Sequence, residues 1–333
     1  MFDRGGIPGE NPVRTDMTHG WKKCRILLEN GEEVVGIAPL IVSASRATDI
    51  PAFFAPWFID RLNAGYVRWV NPFNPGQVQF VSFGDTRMVV FWSKNPRPLL
   101  PYLPDIDARG IGYYFQFTLN DYEQEGLEPD VPKLSQRVET FRRLSDLIGP
   151  KRVVWRYDPL ILTRSVTVDV LLDRIARLAG MLRGYTEKLV FSFADIDRYR
   201  KVRTNPAMQR IDAREFTEEE MTGLAKGLLS LNREWGLTLA SCAEEIELEG
   251  IVRNRCVDDL LMFELFSDDA DLGSFFGYRP GLPGQPPSWT YIRDRGQRKA
   301  CGCIVSKDIG MYDTCDHLCS YCYANRVRTF TRS

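Results

Sequence analysis

The chain has 333 residues, of which 44% are apolar and 26% charged, enough for one large domain such as an α/β barrel or for two small ones. Lys and Arg total 43 against 44 for Asp and Glu, and a formal net charge of −1 gives no support to a general polyanion-binding surface. The sequence contains neither an apolar segment approaching the roughly 20 residues of a membrane span nor a secretory signal, so we expect a cytoplasmic protein without a membrane partner.

The first predicted element is a β-hairpin near the N-terminus. Residues 25–36, RILLENGEEVVG, contain two β-prone runs around Asn30-Gly31, a pair that favours tight hairpin turns. We interpret residues 1–38 as an N-terminal appendage that carries this hairpin. A second hairpin is predicted over residues 66–83, where turn-forming Asn, Pro and Gly separate two β-prone runs.

From Leu40 onward, short apolar runs alternate with amphipathic stretches, a rhythm that predicts βα units with parallel strands. Seven strands of this kind suit a barrel, so we predict an α/β fold with a TIM-like (β/α) barrel over residues 39–300. The predicted strands are residues 40–45, 88–93, 112–119, 152–157, 188–194, 237–241 and 308–312.

Apolar stripes predict the helices between these strands. One stripe recurs every three or four residues from Leu134 to Ile148, and another does so from Val168 to Leu182. Thr217, followed by three glutamates, predicts a capping box at the start of a further helix. The segment from about 267 to 300 contains four prolines and is predicted to be an irregular loop.

Cysteine is concentrated towards the C-terminus. Five of the eight cysteines lie between positions 301 and 322, whereas Cys24, Cys242 and Cys256 are scattered. In a reducing compartment, clustered thiols more often bind metal than form disulfides. Because His19 and His317 are the only histidines, all-thiolate ligation is favoured over a Cys2His2 zinc site.

Three cysteines have the spacing Cys315-x3-Cys319-x2-Cys322, directly after the predicted strand at 308–312. An iron–sulfur cube bound by three thiolates keeps one iron without a protein ligand, and that iron can accept a small molecule. Zinc modules usually pair two C-x2-C knuckles, so the spacing favours iron, although thiolates alone do not distinguish the two metals. His317 lies inside this loop and is interpreted as solvent-facing or as a support behind the ligands.

This spacing, with Tyr321 just before the last cysteine, resembles that of the radical SAM superfamily. The resemblance implies a [4Fe–4S] cluster on Cys315, Cys319 and Cys322 whose free iron binds the amino and carboxylate groups of S-adenosylmethionine. It also implies that an electron from the cluster cleaves this cofactor to methionine and a 5′-deoxyadenosyl radical, which abstracts hydrogen from a substrate. A reductant such as flavodoxin or ferredoxin would then be a partner. The ending YCYAN resembles that of the spore photoproduct lyase type.

The position of the motif indicates an unusual strand order. In most of the superfamily the motif follows the first barrel strand, whereas here it lies in a C-terminal cysteine-rich segment, residues 301–333. We therefore expect a circularly permuted barrel, with the last strand beside the first. From Ile41 to about Asn325 the chain also resembles an uncharacterised bacterial family noted for a C-terminal cysteine cluster like that of radical SAM proteins. The segments SASRATDIPAFFAPWF, WVNPFNP, FWSKNP and CGCIVSKDIGMYDTC carry that resemblance.

Four further cysteines raise the question of a second metal site. Cys301-x-Cys303 precedes the motif, Cys242 follows a predicted strand, and Cys256 comes 14 residues later. Four thiolates are enough for an auxiliary [4Fe–4S] cluster or a structural Zn(Cys)4 site that ties the C-terminal strand to the barrel. Alternatively, Cys242 and Cys256 are buried apolar side chains, a common state of the unpaired thiol. Cys24 has no evident partner and is taken as structural.

Polar side chains follow most predicted strands, at the edge where parallel barrels carry their chemistry. Charged residues at several strand ends suit a zwitterionic cofactor and a polar substrate. Alternatively, Arg46 with Asp49, or Arg156 with Asp158, are structural ion pairs or helix caps. The candidate cofactor- and substrate-binding residues are Arg46, Asp49, Lys94, Asn95, Asn120, Arg156, Asp158, Asp195 and Glu244.

Two other functional classes remain open. A non-enzymatic scaffold stabilised by zinc or an iron–sulfur cluster needs only the thiolates and the barrel. A nucleic-acid repair lyase is suggested by the YCYAN ending and by the basic residues Arg326, Arg328 and Arg332, although the balanced charge gives a nucleic-acid partner no support. No motif in the sequence names a substrate.

Overall fold

Twelve strands form two sheets in the part of the chain that the structure describes, a computed structural model of residues 21–279, 281, 288 and 290–325. The basic residues Arg326, Arg328 and Arg332 and the four prolines of the predicted loop lie outside the described residues. The strands are β1 (Lys23–Leu27), β2 (Glu33–Ile37), β3 (Ile41–Ala44), β4 (Tyr66–Asn71), β5 (Asn74–Ser82), β6 (Met88–Ser93), β7 (Gly112–Thr118), β8 (Val153–Leu160), β9 (Lys188–Phe193), β10 (Thr238–Ser241), β11 (Val252–Arg253) and β12 (Lys307–Asp308).

Helices separate most of these strands, and the two long apolar stripes are confirmed as α4 and α5. The capping box is also confirmed, because Thr217 and Glu220 each accept the other's backbone N–H at the start of α8. None of the described helices is long and apolar enough to cross a bilayer. The helices are α1 (Ile50–Phe53), α2 (Ala55–Ala64), α3 (Leu103–Asp107), α4 (Leu134–Ile148), α5 (Val168–Leu182), α6 (Arg200–Arg203), α7 (Pro206–Arg210), α8 (Glu218–Trp235), α9 (Asp259–Leu265) and α10 (Ala270–Phe275).

The larger sheet has eight parallel strands in the order β11-β10-β9-β8-β7-β6-β3-β12. Strand β12 lies beside β3, with Lys307 opposite Val42 and Asp308 opposite Ser43, so the last strand does neighbour the first of this sheet. The strands follow one another as βα units do. The observed architecture is an α/β fold with an eight-stranded parallel sheet, and among the described residues no pairing joins β11 to β12.

The two faces of this sheet are covered differently. Along β6 the side chains alternate, so that Val89 and Phe91 pack in the larger core with the long helices while Met88 and Val90 face the opposite side. That opposite side is covered by chain segments near Cys256, α9, α10 and residues 301–304. The polypeptide that precedes β12 therefore lies on the sheet face away from the long helices.

The second sheet joins the two predicted hairpins. Strands β1 and β2 pair antiparallel around the turn at Asn30-Gly31, and β4 pairs antiparallel with β5. A single parallel pairing, Ile37 with Val81, connects the hairpins in the order β1-β2-β5-β4. One loop prediction needs correction, because the segment expected to be irregular contains helix α10, which Asp269 caps through two backbone N–H groups.

Candidate functional site

The loop that follows β12 is fixed against the end of β3. The predicted strand 308–312 is shorter than expected, since only Lys307 and Asp308 pair with β3. The Asp308 carboxylate accepts hydrogen bonds from Ser45 Oγ and from the backbone N–H of Arg46, each at 2.8 Å. At Gly310 a Cβ atom would lie 1.9 Å from Ser45 Oγ, so this close approach requires glycine.

Asp49 connects the loop to the next strand. Its Oδ1 accepts hydrogen bonds from Ser93 Oγ at 2.7 Å and from the backbone N–H of Ala52 at 3.0 Å, which caps α1. Its Oδ2 lies 2.7 Å from the backbone N of Lys94 and 2.8 Å from Nε2 of His317. His317 is only 2% exposed, so the solvent-facing interpretation is wrong and the supporting one agrees with its position.

A second anchor is a buried polar cluster around Glu128. Lys94 Nζ lies 2.8 Å from Glu128 Oε1 and 2.8 Å from the Tyr321 hydroxyl, which also donates to Glu128. Asn120 Nδ2 donates to the same hydroxyl at 3.0 Å, and Arg137 Nη1 lies 3.3 Å from Glu128 Oε2. Burial raises the pKa of Glu128, but Lys94 and Arg137 outweigh burial and hold it below its usual value.

The three loop thiols flank the two anchoring residues in sequence, with Cys319 between His317 and Tyr321. Cys319 is buried, Cys315 and Cys322 are partly exposed, and the backbone N–H of Cys322 donates to the carbonyl of Cys319 at 3.0 Å. Leu318 adopts a left-handed backbone, φ 52°, which turns the chain just before Cys319. Burial raises the pKa of Cys315 to about 11 and that of Cys319 well above its usual value, while the Lys94 ammonium opposes the rise at Cys319.

We tested whether these residues fit the implied cluster. Among the described residues, no group of three or more His, Cys, Asp or Glu side chains, as placed, could hold a metal ion. A cube makes a different demand, because each thiolate contacts a different iron around a shared volume. The charges of Cys322 and Cys315 both raise the pKa of Cys319, so the three sulfurs lie within electrostatic reach of one another. Three thiols on one loop, with the Lys94 cation nearby, are the donor set that such a cluster would use.

Arg156 and Asp158, on neighbouring positions of β8, form the predicted ion pair. Arg156 also donates to Gln116 Oε1 at 3.1 Å, and Asp158 accepts from Ser192. The backbone N–H of Asp158 donates to Asn120 Oδ1 at 2.8 Å, which joins this pair to the polar cluster around Glu128. Burial raises the pKa of Asp158, yet Arg156 and Ser192 hold it below its usual value.

The remaining predicted site residues are distributed along the same edge. Arg46 and Arg156 each lie 5.2 Å from the centre of the Trp92 ring, on which they make cation–π contacts. Glu244 accepts the backbone N–H of Phe193 at 3.0 Å, and burial raises the pKa of Glu244 to about 7. Asp195 forms an ion pair with Arg298, while Asn95 donates its backbone N–H to Ser93 Oγ at 3.0 Å.

The predicted site residues therefore fall into two groups, according to whether they contact the loop of the three cysteines. Asp49, Lys94 and Asn120 contact the loop of the three cysteines. Arg156 lies further along the sheet, where its Nη1 contacts Cys256, one of the four cysteines of the predicted second metal site. Sequence reasoning missed Glu128, Arg137 and Asp308, because each acquires its partner only through folding. An acidic residue on a loop carries no local signal of burial.

Comparison with known proteins adds the family. Residues 41–324 match the model of a family described as Domain of unknown function (DUF1848). The chain belongs to this family. Neither the curated proteins nor the solved structures contained a match.

The limits of the DUF1848 match coincide with features of the fold. It begins at Ile41, the first residue of β3, and ends at Ala324, two residues after Cys322. The DUF1848 domain therefore includes the whole eight-stranded sheet and seven of the eight cysteines, whereas β1 and β2 lie outside it.

Proposed function

We propose that this DUF1848 domain is a radical SAM-type enzyme that holds a [4Fe–4S] cluster on Cys315, Cys319 and Cys322. The observation that supports it is the attachment of the three-cysteine loop to the carboxyl ends of β3 and β6. His317 binds Asp49 after β3, and Tyr321 binds Lys94 after β6. In parallel sheets, chemistry belongs at this edge.

The cluster, when bound, supplies an open iron for the amino and carboxylate groups of S-adenosylmethionine and the electron that cleaves it. The chain's own residues hold the loop rigid. Asp49 has both oxygens occupied by four hydrogen bonds, so its part is positioning. Lys94 is similarly engaged with Glu128 and Tyr321. Its ammonium also favours the thiolate form of Cys319, the form that binds iron.

Groups for a polar cofactor or substrate lie further along the same edge. The Asp158 side chain is 23% exposed, and the partly exposed Asp195 is paired with Arg298. Carboxylates there can accept hydrogen bonds from an amino or hydroxyl group, and a guanidinium can bind a carboxylate in bidentate fashion. We propose that these residues, with Glu244, contact the bound small molecules, and that hydrogen abstraction is the reaction class.

The test begins with anaerobic purification and supply of iron and sulfide. We expect a brown protein with broad visible absorption that, after reduction, converts S-adenosylmethionine to methionine and 5′-deoxyadenosine. Cys319→Ala removes one ligand and should abolish that conversion, whereas Cys24→Ala, which changes a cysteine of β1 outside the domain, should leave it unchanged. A colourless, folded protein that gains no iron on Cys315, Cys319 and Cys322 would contradict the proposal and favour a zinc-stabilised scaffold.

A further inference from the structure

Four cysteines outside the loop meet at one place on the sheet face away from the long helices. Cys242 and Cys256 have their sulfurs 3.3 Å apart, although they follow different strands. Cys303 Sγ lies 3.4 Å from the backbone N of Val257, the residue after Cys256. Cys256, Cys301 and Cys303 lie in one apolar cluster against which Cys242 packs, so three separate segments bring the four cysteines together.

Nitrogen donors point at these sulfurs. Arg156 Nη1 lies 2.9 Å and Asn254 Nδ2 3.0 Å from Cys256 Sγ. The backbone N–H of Val257 donates to Cys303 Sγ at 3.4 Å. A neutral thiol is a weak acceptor, whereas a thiolate is strengthened by such donors. The pattern is that of sulfurs which carry negative charge.

The surrounding charge agrees with four thiolates. Arg156 is only 3% exposed, and the guanidiniums of Arg46 and Arg156 both contact the ring of Trp92. A dication with four thiolates carries a net charge of −2, and the guanidiniums of Arg46 and Arg156, the latter also paired with Asp158, offset part of it. Buried charges need such compensation.

Packing in the apolar core is the alternative explanation for the position of these four cysteines. Cys256, Cys301 and Cys303 do lie in an apolar cluster, as free cysteines often do. However, core packing alone does not explain why the buried guanidinium of Arg156 directs Nη1 at Cys256 Sγ, since a neutral thiol is a weak acceptor. The backbone at Gly302 also approaches that of Asn254 closely, since a Cβ at Gly302 would lie 3.0 Å from the Asn254 carbonyl oxygen. This brings the Cys301 and Cys303 segment directly onto the segment of Cys256.

We propose that Cys242, Cys256, Cys301 and Cys303 form a second, tetrathiolate metal centre. Its occupant is a thiophilic metal, either a zinc ion or a [4Fe–4S] cluster, bound with release of the four thiol protons. The centre ties β10, the segment after β11 and the segment before β12 together. It uses none of the loop cysteines and does not depend on their function.

Binding of a zinc ion needs only a small movement, whereas the four thiolates of a [4Fe–4S] cluster, each on a different iron, must lie further apart. Four sulfurs arranged tetrahedrally at a Zn–S length of about 2.3 Å lie roughly 3.8 Å apart. Cys242 and Cys256, at 3.3 Å, must separate by about half an ångström to reach that spacing. Rotation of cysteine side chains supplies this. Because this movement is still needed, the thiols lie close together although no group of side chains among the described residues could hold an ion as placed.

The experiment uses the full chain with Cys315, Cys319 and Cys322 all changed to Ala, which leaves the four-cysteine site intact. We expect this variant, purified anaerobically, to retain about one zinc or about four irons per chain, and the metal found identifies the occupant. X-ray absorption at that metal's edge should give sulfur ligands at about 2.3 Å. Adding Cys303→Ser, or separately Cys301→Ser, should lower the metal content at least fivefold, whereas adding Cys24→Ser should not.

Circular dichroism of each variant establishes that it is folded. A folded triple variant that binds no stoichiometric metal, even after supply of zinc and of iron with sulfide, overturns the proposal. Metal that stays bound after the Cys303 and Cys301 changes, or that shows nitrogen and oxygen ligands only, overturns it as well. Because the triple variant lacks the loop thiols, these outcomes are independent of whether the loop holds a catalytic cluster.

Discussion

The imidazole Nε2 of His317 lies 2.8 Å from Oδ2 of Asp49, a residue 268 positions earlier in the chain. The ring also packs edge-on against Phe53, with ring centres 4.6 Å apart. A histidine within the cysteine loop thus binds the cap of the first helix after β3. We infer that this contact sets the position of the loop on the sheet.

Replacing His317 with Ala should loosen the loop. Asp49 Oδ2 would keep only the Lys94 N–H as a partner, and an incompletely satisfied buried carboxylate costs about 1–3 kcal/mol of unfolding free energy. We expect that loss in urea titrations, together with lower iron content after reconstitution. Asp316→Ala, at the exposed neighbouring position, is the matched control and should change neither quantity. Equal iron content in the two variants would show that the contact does not support the site.

Replacing Gly310 with Ala should separate β12 from β3. The new methyl group would overlap Ser45, whose Cβ lies 2.6 Å from the added carbon, and overpacking of this kind costs about 1–3 kcal/mol. Gly223→Ala is the control, since that position on α8 has nothing within 4 Å and alanine favours helices by about 1 kcal/mol. Urea midpoints should move in opposite directions for the two variants. A Gly310→Ala protein as stable as the parent chain contradicts the predicted close approach.

Replacing Lys94 with Met should leave the buried Glu128 charge with Arg137 as its remaining cation. Removal of one partner from a buried ion pair typically costs about 3–5 kcal/mol. The pKa of Glu128 should also rise, because Lys94 is the main group that opposes burial there. The parent loses stability as pH falls below the unfolded value of 4.5, whereas the variant, with a folded-state pKa of Glu128 closer to that value or above it, should lose less stability on acidification.

The double variant Lys94→Met with Glu128→Gln tests the cause. Because the double variant has no carboxylate at position 128 left without a partner, it should recover part of the lost stability, and the contribution of Glu128 to the pH dependence should disappear. If the double variant loses more unfolding free energy than the two single variants lose together, the contact between Lys94 and Glu128 is not the source of the effect.

Acid should weaken the start of α8. The pKa of Glu220 is lowered from 4.5 to about 2 by its hydrogen bonds with Arg214 and the backbone of Thr217. A lowered folded-state pKa gives stability that is present above the unfolded value and is lost as pH falls from about 4.5 towards 2. Glu220→Gln should lack this part of the pH profile and differ from the parent by up to about 1 kcal/mol near neutrality. Thermal unfolding measured between those pH values checks the sign.

Much of the sheet could be predicted because local pattern decides it. The run at 88–93 matches β6 residue for residue, since a strand buried on both faces is apolar throughout. The stripes of α4 and α5 give their limits for a similar reason. Strand β12 was predicted too long, because its continuation is governed by the packing of Gly310 on Ser45. Such long-range contacts leave no periodicity in the sequence.

The candidate site was predictable where chemistry depends on spacing. The three loop cysteines and the polar strand ends followed from motif and topology, and Asp49, Lys94 and Asn120 do contact the loop. Glu128 and Arg137 were missed because a charged residue is ordinarily solvent-exposed, and only folding shows that these two are buried together. A sheet closed into a barrel was expected, yet pairing of β11 with β12 would depend on curvature, which strand patterns do not encode.

The placement of β12 at the edge of the sheet has a consequence for biosynthesis. Ser45 leaves the ribosome early, whereas its partner Asp308 follows 263 residues later. During translation the outer edge of β3 therefore has no neighbouring strand, and an unpaired edge can recruit strands from other nascent chains. Slow elongation or truncation before Asp308 would prolong that exposure, so chaperone capacity during expression should limit the yield of intact protein.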